Sequence, residues 1–395
     1  MISFEEAVAL VKGAAVPLGT ETIGLDTAAG RVLAEPIVAR LDSPRSDVSA
    51  MDGYALRDAD LDQLPVELHV VGESFAGRSW NGEFGPGECV RIFTGAPVPA
   101  GADRVVIQEN VRRDGEVATI EAHPGHARHI RTQGSDFRRG SELISAGRLL
   151  DPLAVVCAAA ADVDSLVVHR VPRMRILSTG DELAEPGSAC NRDDAIPESV
   201  SFGIAALARQ WGGEVVGRSR LRDDLEEMER SAAEALVDTD LVVVTGGASV
   251  GEKDFAKTMF GPAGLELIFS NVAIKPGKPV WLGRAGKTLV LGLPGNPTSA
   301  LVTGRLLLAP LLAGLCGREP DEALNWRNAS LASDLSECGP RETFHRGRSV
   351  GERVELLSNQ DSSAQMTLAQ ADLLVRQRAA APALTTGEPV QVLDF

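Results

Sequence analysis

Apolar residues follow several rhythms along the chain, and each predicts a different kind of element. Phe4, Val8 and Val11 recur at helical intervals behind Ser3, with Glu6 three residues on, so the spacing predicts a short amphipathic helix over 3–12 opened by a capping box. From about 43 to 140 the pattern breaks into short β-rich pieces, VELHVVGES, CVRIFTG, DRVVIQENV and EVATIEAH, separated by Gly, Pro and Asn, which predicts a small all-β domain. The alanine-rich LLDPLAVVCAAAADVDSLVV then predicts a helix packed on both sides, a following strand, and a return to the N-terminal helix.

Between 173 and 318 strand and helix patterns alternate: MRILSTG, a helix near 199–211, EVVGRSRL, a helix near 224–237, LVVVTGG, a helix near 254–260, LIFSNVAI, TLVLGLPG and a long helix from 298. Such alternation predicts mostly parallel strands with crossover helices, a three-layer α/β domain. In the helix after RDD, Asp224 and Glu227 stand at capping-box spacing, and Leu225, Met228, Ala232 and Leu236 share one face. After 319 the β-type pieces WRNASLAS, ETFHRGRSV, RVELLS and EPVQVLDF return, with a helix near 366–372, and predict a second small β domain.

Composition narrows the function classes. The 395 residues exceed one ordinary core, and 44% apolar with 24% charged residues is the balance of a folded globular chain. The apolar runs AVVCAAAA and LVVVTGG fall short of a bilayer span, and the N-terminus carries two glutamates where a secretory signal carries basic residues, so the expected location is cytoplasmic, with no membrane. Cys89, Cys157, Cys190, Cys316 and Cys338 have no zinc-type spacing. A net charge of -16 argues against nucleic-acid binding. Against that background five of the six lysines (Lys253, Lys257, Lys275, Lys278, Lys287) fall between 253 and 287, which points to a local anion site.

Three predicted strands run into glycine-bearing loops: RILSTGDEL with Thr179 and Gly180, LVVVTGGASVGEKD with Gly246, Gly247, Ser249 and Gly251, and LVLGLPGNPTSA with Pro294, Gly295, Asn296 and Ser299. In a parallel sheet these loops gather at the carboxyl edge, where ligands bind. Asn296 as N-cap and Pro297 at the first helical position predict a helix start facing an anion. Glu182 and Asp254 sit in two of the loops and Asp223 follows EVVGRSRL, so three carboxylates are candidates as a set to hold magnesium against phosphate oxygens; taken singly, each is more often a helix cap or a solvated residue.

At these loops the chain resembles the molybdopterin molybdenumtransferase family, MoeA and the C-terminal part of gephyrin. The matching stretches are SPRSDVSAMDGYALR, FTGAPVPAGADRVVIQE, ILSTGDEL, TGGASVGEKD, VAIKPGKP and GLPGNPTSA. The resemblance implies a multidomain α/β plus β homodimer. Its parts would be a discontinuous, elongated, helix-containing dimerisation domain (1–42 and 134–172), a small β domain (43–133), an α/β molybdopterin-binding domain (173–318) and a C-terminal β domain (319–395). It implies that molybdopterin-AMP and molybdate give molybdenum cofactor and AMP with Mg2+, in a site shared between subunits, and that a molybdopterin adenylyltransferase is the upstream partner. By motif, Asp52, Thr94, Asp136, Glu182, Asp223 and Asp254 take the family's catalytic places, and Lys275 and Lys278 its phosphate-binding places. Arg341, Arg346 and Ser363 correspond in the tail.

Two positions depart from the family's usual text: Val200 stands where asparagine is common, in IPESVSF, and Asn271 where lysine is often found. Three other readings therefore stay open, a degenerate paralogue that binds molybdopterin without inserting metal, a molybdopterin adenylyltransferase, and a noncatalytic gephyrin-like scaffold.

Overall fold

The computed structural model describes residues 1–246 and 255–395. Its α/β region is built on a six-stranded sheet in the order Glu214–Leu221, Arg173–Thr179, Leu241–Thr245, Thr288–Leu293, Trp281–Ala285, Glu266–Ser270. The first four strands are parallel, and Trp281–Ala285 runs antiparallel to both its neighbours, Thr288–Leu293 and Glu266–Ser270. Alternation along the strands separates two cores. Met174, Ile176, Leu241 and Val243 face the helix Val200–Gln210, whereas Leu177, Val242 and Val244 face the helix Leu225–Ala235. With both faces covered, Leu241–Thr245 is buried throughout, which is why it reads as an unbroken apolar run.

Three expectations change here. Trp281–Ala285 is a strand that the pattern did not signal; it forms a hairpin with Thr288–Leu293 through Gly286, whose φ of +59° suits a two-residue turn. The expected strand LIFSNVAI divides at Asn271, at φ +62°. Glu266–Ser270 stays in the sheet, while Ile274–Lys275 pairs with Glu342–Val350 of the C-terminal sheet and so joins the two domains. Of the helix near 254–260, the described residues form only the 3-10 turn Thr258–Phe260.

Among the described residues one helix, Pro297–Leu315, is long and apolar enough by length and composition to cross a membrane, so apolar runs do reach that length. It is 94% buried inside the protein. Leu306, Leu307, Leu308, Leu311 and Leu312 are fully buried, at about 1.5–3 kcal/mol each, so its apolar surface is spent on the core. Arg305 is buried within it, donating to the carbonyls of Asp394 and Ala323, and burial pulls its guanidinium down to about 10.

The N-terminal helix, Phe4–Ala14, has the expected reciprocal capping box between Ser3 and Glu6. It packs Phe4, Ala7 and Val11 into the α/β core, however, and not against the alanine-rich segment. That segment forms the helix Pro152–Ala160, capped by Asp151, and buries only Ala154 and Ala158, against Ala28, Leu33 and Ile37. Leu153 and Val156 are exposed, so the helix is not packed on both sides. Its following strand, Ser165–His169, pairs with Thr20–Gly24.

Residues 53–120 form a six-stranded sheet around Tyr54, Leu68, Val106 and Ile120. At the C-terminus Glu342–Val350 also pairs with Leu373–Gln377, closing the sheet on itself around Val354, Val375 and Val392.

Candidate functional site

The carboxyl ends of three parallel strands, Arg173–Thr179, Leu241–Thr245 and Thr288–Leu293, open into one cavity of about 650 Å3. Thr179, Gly180, Gly246, Pro294, Gly295 and Asn296 line it. The loops meet backbone to backbone, and glycine is required at the contact. Gly246 has φ +93°, and a Cβ there would lie 2.5 Å from the Thr179 carbonyl oxygen; a Cβ on Gly295 would lie 3.2 Å from the Gly246 Cα. Gly247, Ser249, Gly251 and Asp254 fall outside the described residues.

The third loop feeds the helix that starts at Pro297. Asn296 occupies the N-cap position, but its side chain makes no cap hydrogen bond. Its Nδ2 donates instead to Ser362 Oγ at 3.0 Å, and the Thr298 N–H donates to the Ser362 carbonyl at 3.2 Å. The helix start thus anchors the C-terminal segment 361–365, which brings Ser363 and Gln365 to the cavity wall. Within that segment the Ser363 N–H and Oγ both donate to Asp361 Oδ1, at 2.8 and 2.7 Å, and hold its carboxyl below the usual range. Arg346 lies beneath it, 1% exposed, donating to the Asp361 carbonyl at 3.1 Å; burial lowers its guanidinium from the ordinary arginine value.

Glu182 and Asp223 both line the cavity. The Glu182 carboxylate lies over Gly180, where a Cβ would come within 2.7 Å of Oε2. The Asp223 N–H donates to Asp181 Oδ1 at 3.2 Å, and the adjoining helix is capped by Asp224, which leaves Asp223 out of the cap. Among the described residues no group of three His, Cys, Asp or Glu is placed to hold a metal ion. Two of the three acids expected at magnesium therefore share the cavity, and the third, Asp254, is among the residues not described.

The remaining candidates lie elsewhere. Lys275 and Arg341 line a neighbouring cleft of about 490 Å3 in the C-terminal domain, with His345 and Gln360. Lys275 stands opposite Thr343 in the strand pairing, which directs it with His345 to that cleft. Lys278 is not part of the lining of the cavity at the strand ends, and Ser299 is buried in the first turn of the helix, its carbonyl accepting from Thr303 Oγ1 at 2.7 Å. Asp136 is exposed, its N–H donating to the Ser43 carbonyl.

Asp52 and Thr94 meet in the β domain. Thr94 donates to Asp52 Oδ1 from its N–H at 2.7 Å and its Oγ1 at 2.8 Å, and these bonds, the backbone one foremost, hold the Asp52 carboxyl below its ordinary 3.8. Thr94→Val removes the hydroxyl bond, so the Asp52 titration should move up toward 3.8 when followed by carboxyl carbon NMR. By linkage, the depressed folded value stabilises the fold above pH 3.8, and that contribution fades as pH falls through the folded value. An Asp52 titration unmoved in the variant would show that the hydroxyl bond has no weight.

The cavity wall includes Val200, the departure from the family's text, with Glu198 and Ser199 before it, and also Thr245, Pro279 and Gln365, which sequence reasoning did not assign to it. A legible signal existed for Thr245 and its neighbour Ser178, polar residues at the carboxyl ends of otherwise apolar strands. All five cysteines are free thiols, and burial pushes Cys89 up to about 12.

Comparison with known proteins agrees with this geometry. Residues 2–161 match the MoeA N-terminal region (domain I and II), 175–314 a family described as "Probable molybdopterin binding domain", and 328–395 the MoeA C-terminal region (domain IV). The molybdopterin molybdenumtransferase of Haemophilus influenzae is 37% identical over 333 residues, covering 84% of this chain and 81% of its own. That of a Nostoc species is 32% identical over 338 residues, covering 82% and 76%. A crystal structure of a molybdopterin biosynthesis MoeA protein from Pyrococcus horikoshii superposes with a TM-score of 0.85 at 27% identity, covering 100% of both chains.

Proposed function

The chain belongs to the molybdopterin molybdenumtransferase family, and on that premise we propose that it moves molybdenum from molybdate into adenylylated molybdopterin, giving molybdenum cofactor and AMP. The observation that carries this reading is the cavity where glycine-bearing loops from three parallel strands and a helix N-terminus converge with Glu182 and Asp223 beside them. The Gly246 N–H is taken by the Leu293 carbonyl and the Thr298 N–H by the Ser362 carbonyl, so the phosphate reading rests on the Gly295 backbone and the positive end of the helix dipole. Glu182 and Asp223 would hold magnesium, which supplies positive charge to a phosphoanhydride under cleavage. Lys275 and Arg341 in the adjoining cleft suit an anion, and molybdate is one.

A homodimer completes the reading. The Asp52–Thr94 pair is absent from the cavity lining of its own subunit, and the exposed Leu153 and Val156 on Pro152–Ala160 offer an apolar surface for subunit contact. We assign the pair to the site of the partner subunit, and the supply of adenylylated substrate to a molybdopterin adenylyltransferase. Sedimentation at micromolar concentration should therefore give twice the 41.6 kDa chain mass. Mixing Asp52→Asn with Glu182→Gln chains, each inactive alone, should restore about a quarter of the activity, since one site per mixed dimer is intact. A monomer, or no recovery on mixing when each chain folds, would overturn the shared site.

The reaction is tested by anaerobic incubation with molybdopterin-AMP, molybdate and magnesium, which should release AMP. ATP with molybdopterin should give no adenylylated product; if it does, the chain is an adenylyltransferase. Binding of molybdopterin-AMP with no AMP release would favour the degenerate paralogue, the reading that Val200 in the cavity wall keeps in view.

A further inference from the structure

One wall of the cavity has a polarity opposite to that of the glycine loops. Glu198 lines the cavity and is only 6% exposed. Its Oε1 accepts from the Ser201 N–H at 2.8 Å and from Ser178 Oγ at 3.3 Å, and its Oε2 accepts from Ser201 Oγ. Arg218, stacked 3.7 Å over the Phe202 ring, donates to Ser201 Oγ at 3.2 Å. An ionised carboxylate accepts and cannot donate, so both serine protons are committed to Glu198. Ser178 then has no proton for its other neighbour, and Thr245 Oγ1 must donate to it, at 3.0 Å.

The consequence reaches the cavity surface. Thr245, which also lines the cavity, has its hydroxyl proton turned inward and offers a ligand only lone pairs. Of the roughly four acceptor positions of the Glu198 carboxylate, three are filled and one remains, on Oε2. The Glu198 and Thr245 side chains therefore accept and do not donate. A phosphate is repelled there, and a group rich in N–H donors is matched.

We propose that this wall receives the amino and ring N–H edge of the pterin, with Glu198 as a specificity-determining residue and Thr245 as the second acceptor, the phosphates lying toward Gly295 and Asn296. The inference rests on the reading of the cavity as a molybdopterin-AMP site and fixes the orientation of that ligand. The adenine edge alternates donors with acceptors and would set a lone pair against a lone pair. A ribose offers donors too, but the adjacent Leu183, Ile196 and Val200 form an apolar flank suited to a flat ring.

Calorimetric titration with three stable probes tests this: 6-hydroxymethylpterin, the matching lumazine, which carries a carbonyl where the pterin has its amino group, and AMP. The wild-type chain should bind the pterin at least about 10-fold tighter than the lumazine. Glu198→Gln, which places an amide donor on this wall, should weaken pterin binding roughly 10- to 100-fold and abolish the preference, with AMP affinity held within roughly twofold. Thr245→Val should weaken the pterin in the same sense.

Equal pterin and lumazine affinity in the wild type would overturn the proposal without any variant having to fold. Loss of AMP binding with pterin unchanged would place the adenosine end here instead. Parallel loss of both ligands with a lowered melting temperature would reduce Glu198 to a brace for its loops. A wild-type chain that fails to bind molybdopterin-AMP at all would reject the functional reading itself, whereas one that binds it without discriminating the probes rejects only this orientation.

Discussion

Glu182→Ala or Asp223→Ala should cut AMP release by at least about 100-fold, the lower end of what a positioned acid, base or metal-holding group supplies, while binding of molybdopterin-AMP without magnesium stays the same or tightens slightly. Both carboxylates line the same cavity as the glycine loops, and Glu182 lies directly over Gly180. A carboxylate beside a polyphosphate repels it unless a cation stands between, so removing one should help binding in the absence of the cation and harm turnover in its presence. A residue that only braces its loop behaves differently, because its loss lowers stability and affinity together. Melting temperature, magnesium-free affinity and AMP release measured on each variant separate the two cases. Normal turnover by both folded variants would remove the acids from the reaction.

Gly246→Ala should abolish tight ligand binding and destabilise the α/β domain together. The new Cβ would fall 2.5 Å from the Thr179 carbonyl and 2.8 Å from its Oγ1, at a φ of +93° that costs a side chain about 1–3 kcal/mol by itself. Relief requires the first loop to move away from the second, which widens the cavity that Thr179, Gly180 and Gly246 line. Affinity for molybdopterin-AMP should fall more than about 10-fold. Gly115→Ala is the matched control, since Gly115 has φ +57° but nothing within 4 Å of a Cβ, so only the local strain remains. Unchanged affinity in Gly246→Ala would mean that the loop contact does not shape the site.

Much of this site was legible because two patterns coincide there. Apolar runs that end in glycine mark strands feeding loops at one sheet edge, and Thr179, Gly180, Gly246, Pro294, Gly295 and Asn296 line one cavity. Asp224 with Glu227, and Ser3 with Glu6, announced their helix starts because a cap is a local hydrogen bond. Residues set by distant packing were not legible. Ser362 takes the Asn296 side chain from the far end of the chain, and nothing near Asn296 in the sequence foretells that its amide will serve a second domain and leave the cap unmade. Lys275 and Lys278 stand close in sequence, yet only Lys275 lines the neighbouring cleft, because Ile274–Lys275 leaves the α/β sheet at Asn271 to pair with the C-terminal one. Glu198 stands two residues before Val200, the position that departs from the motif; its meaning lies in serine and threonine protons that no spacing rule reveals.

The central claim is that this chain couples metal insertion to loss of the adenylyl group, and the stoichiometry of that coupling tests it most directly. With molybdopterin-AMP and magnesium under anaerobic conditions, AMP release should depend on molybdate, and one molybdenum should enter the pterin for each AMP set free. AMP released at the same rate without molybdate, or release with no molybdenum in the product, would contradict it.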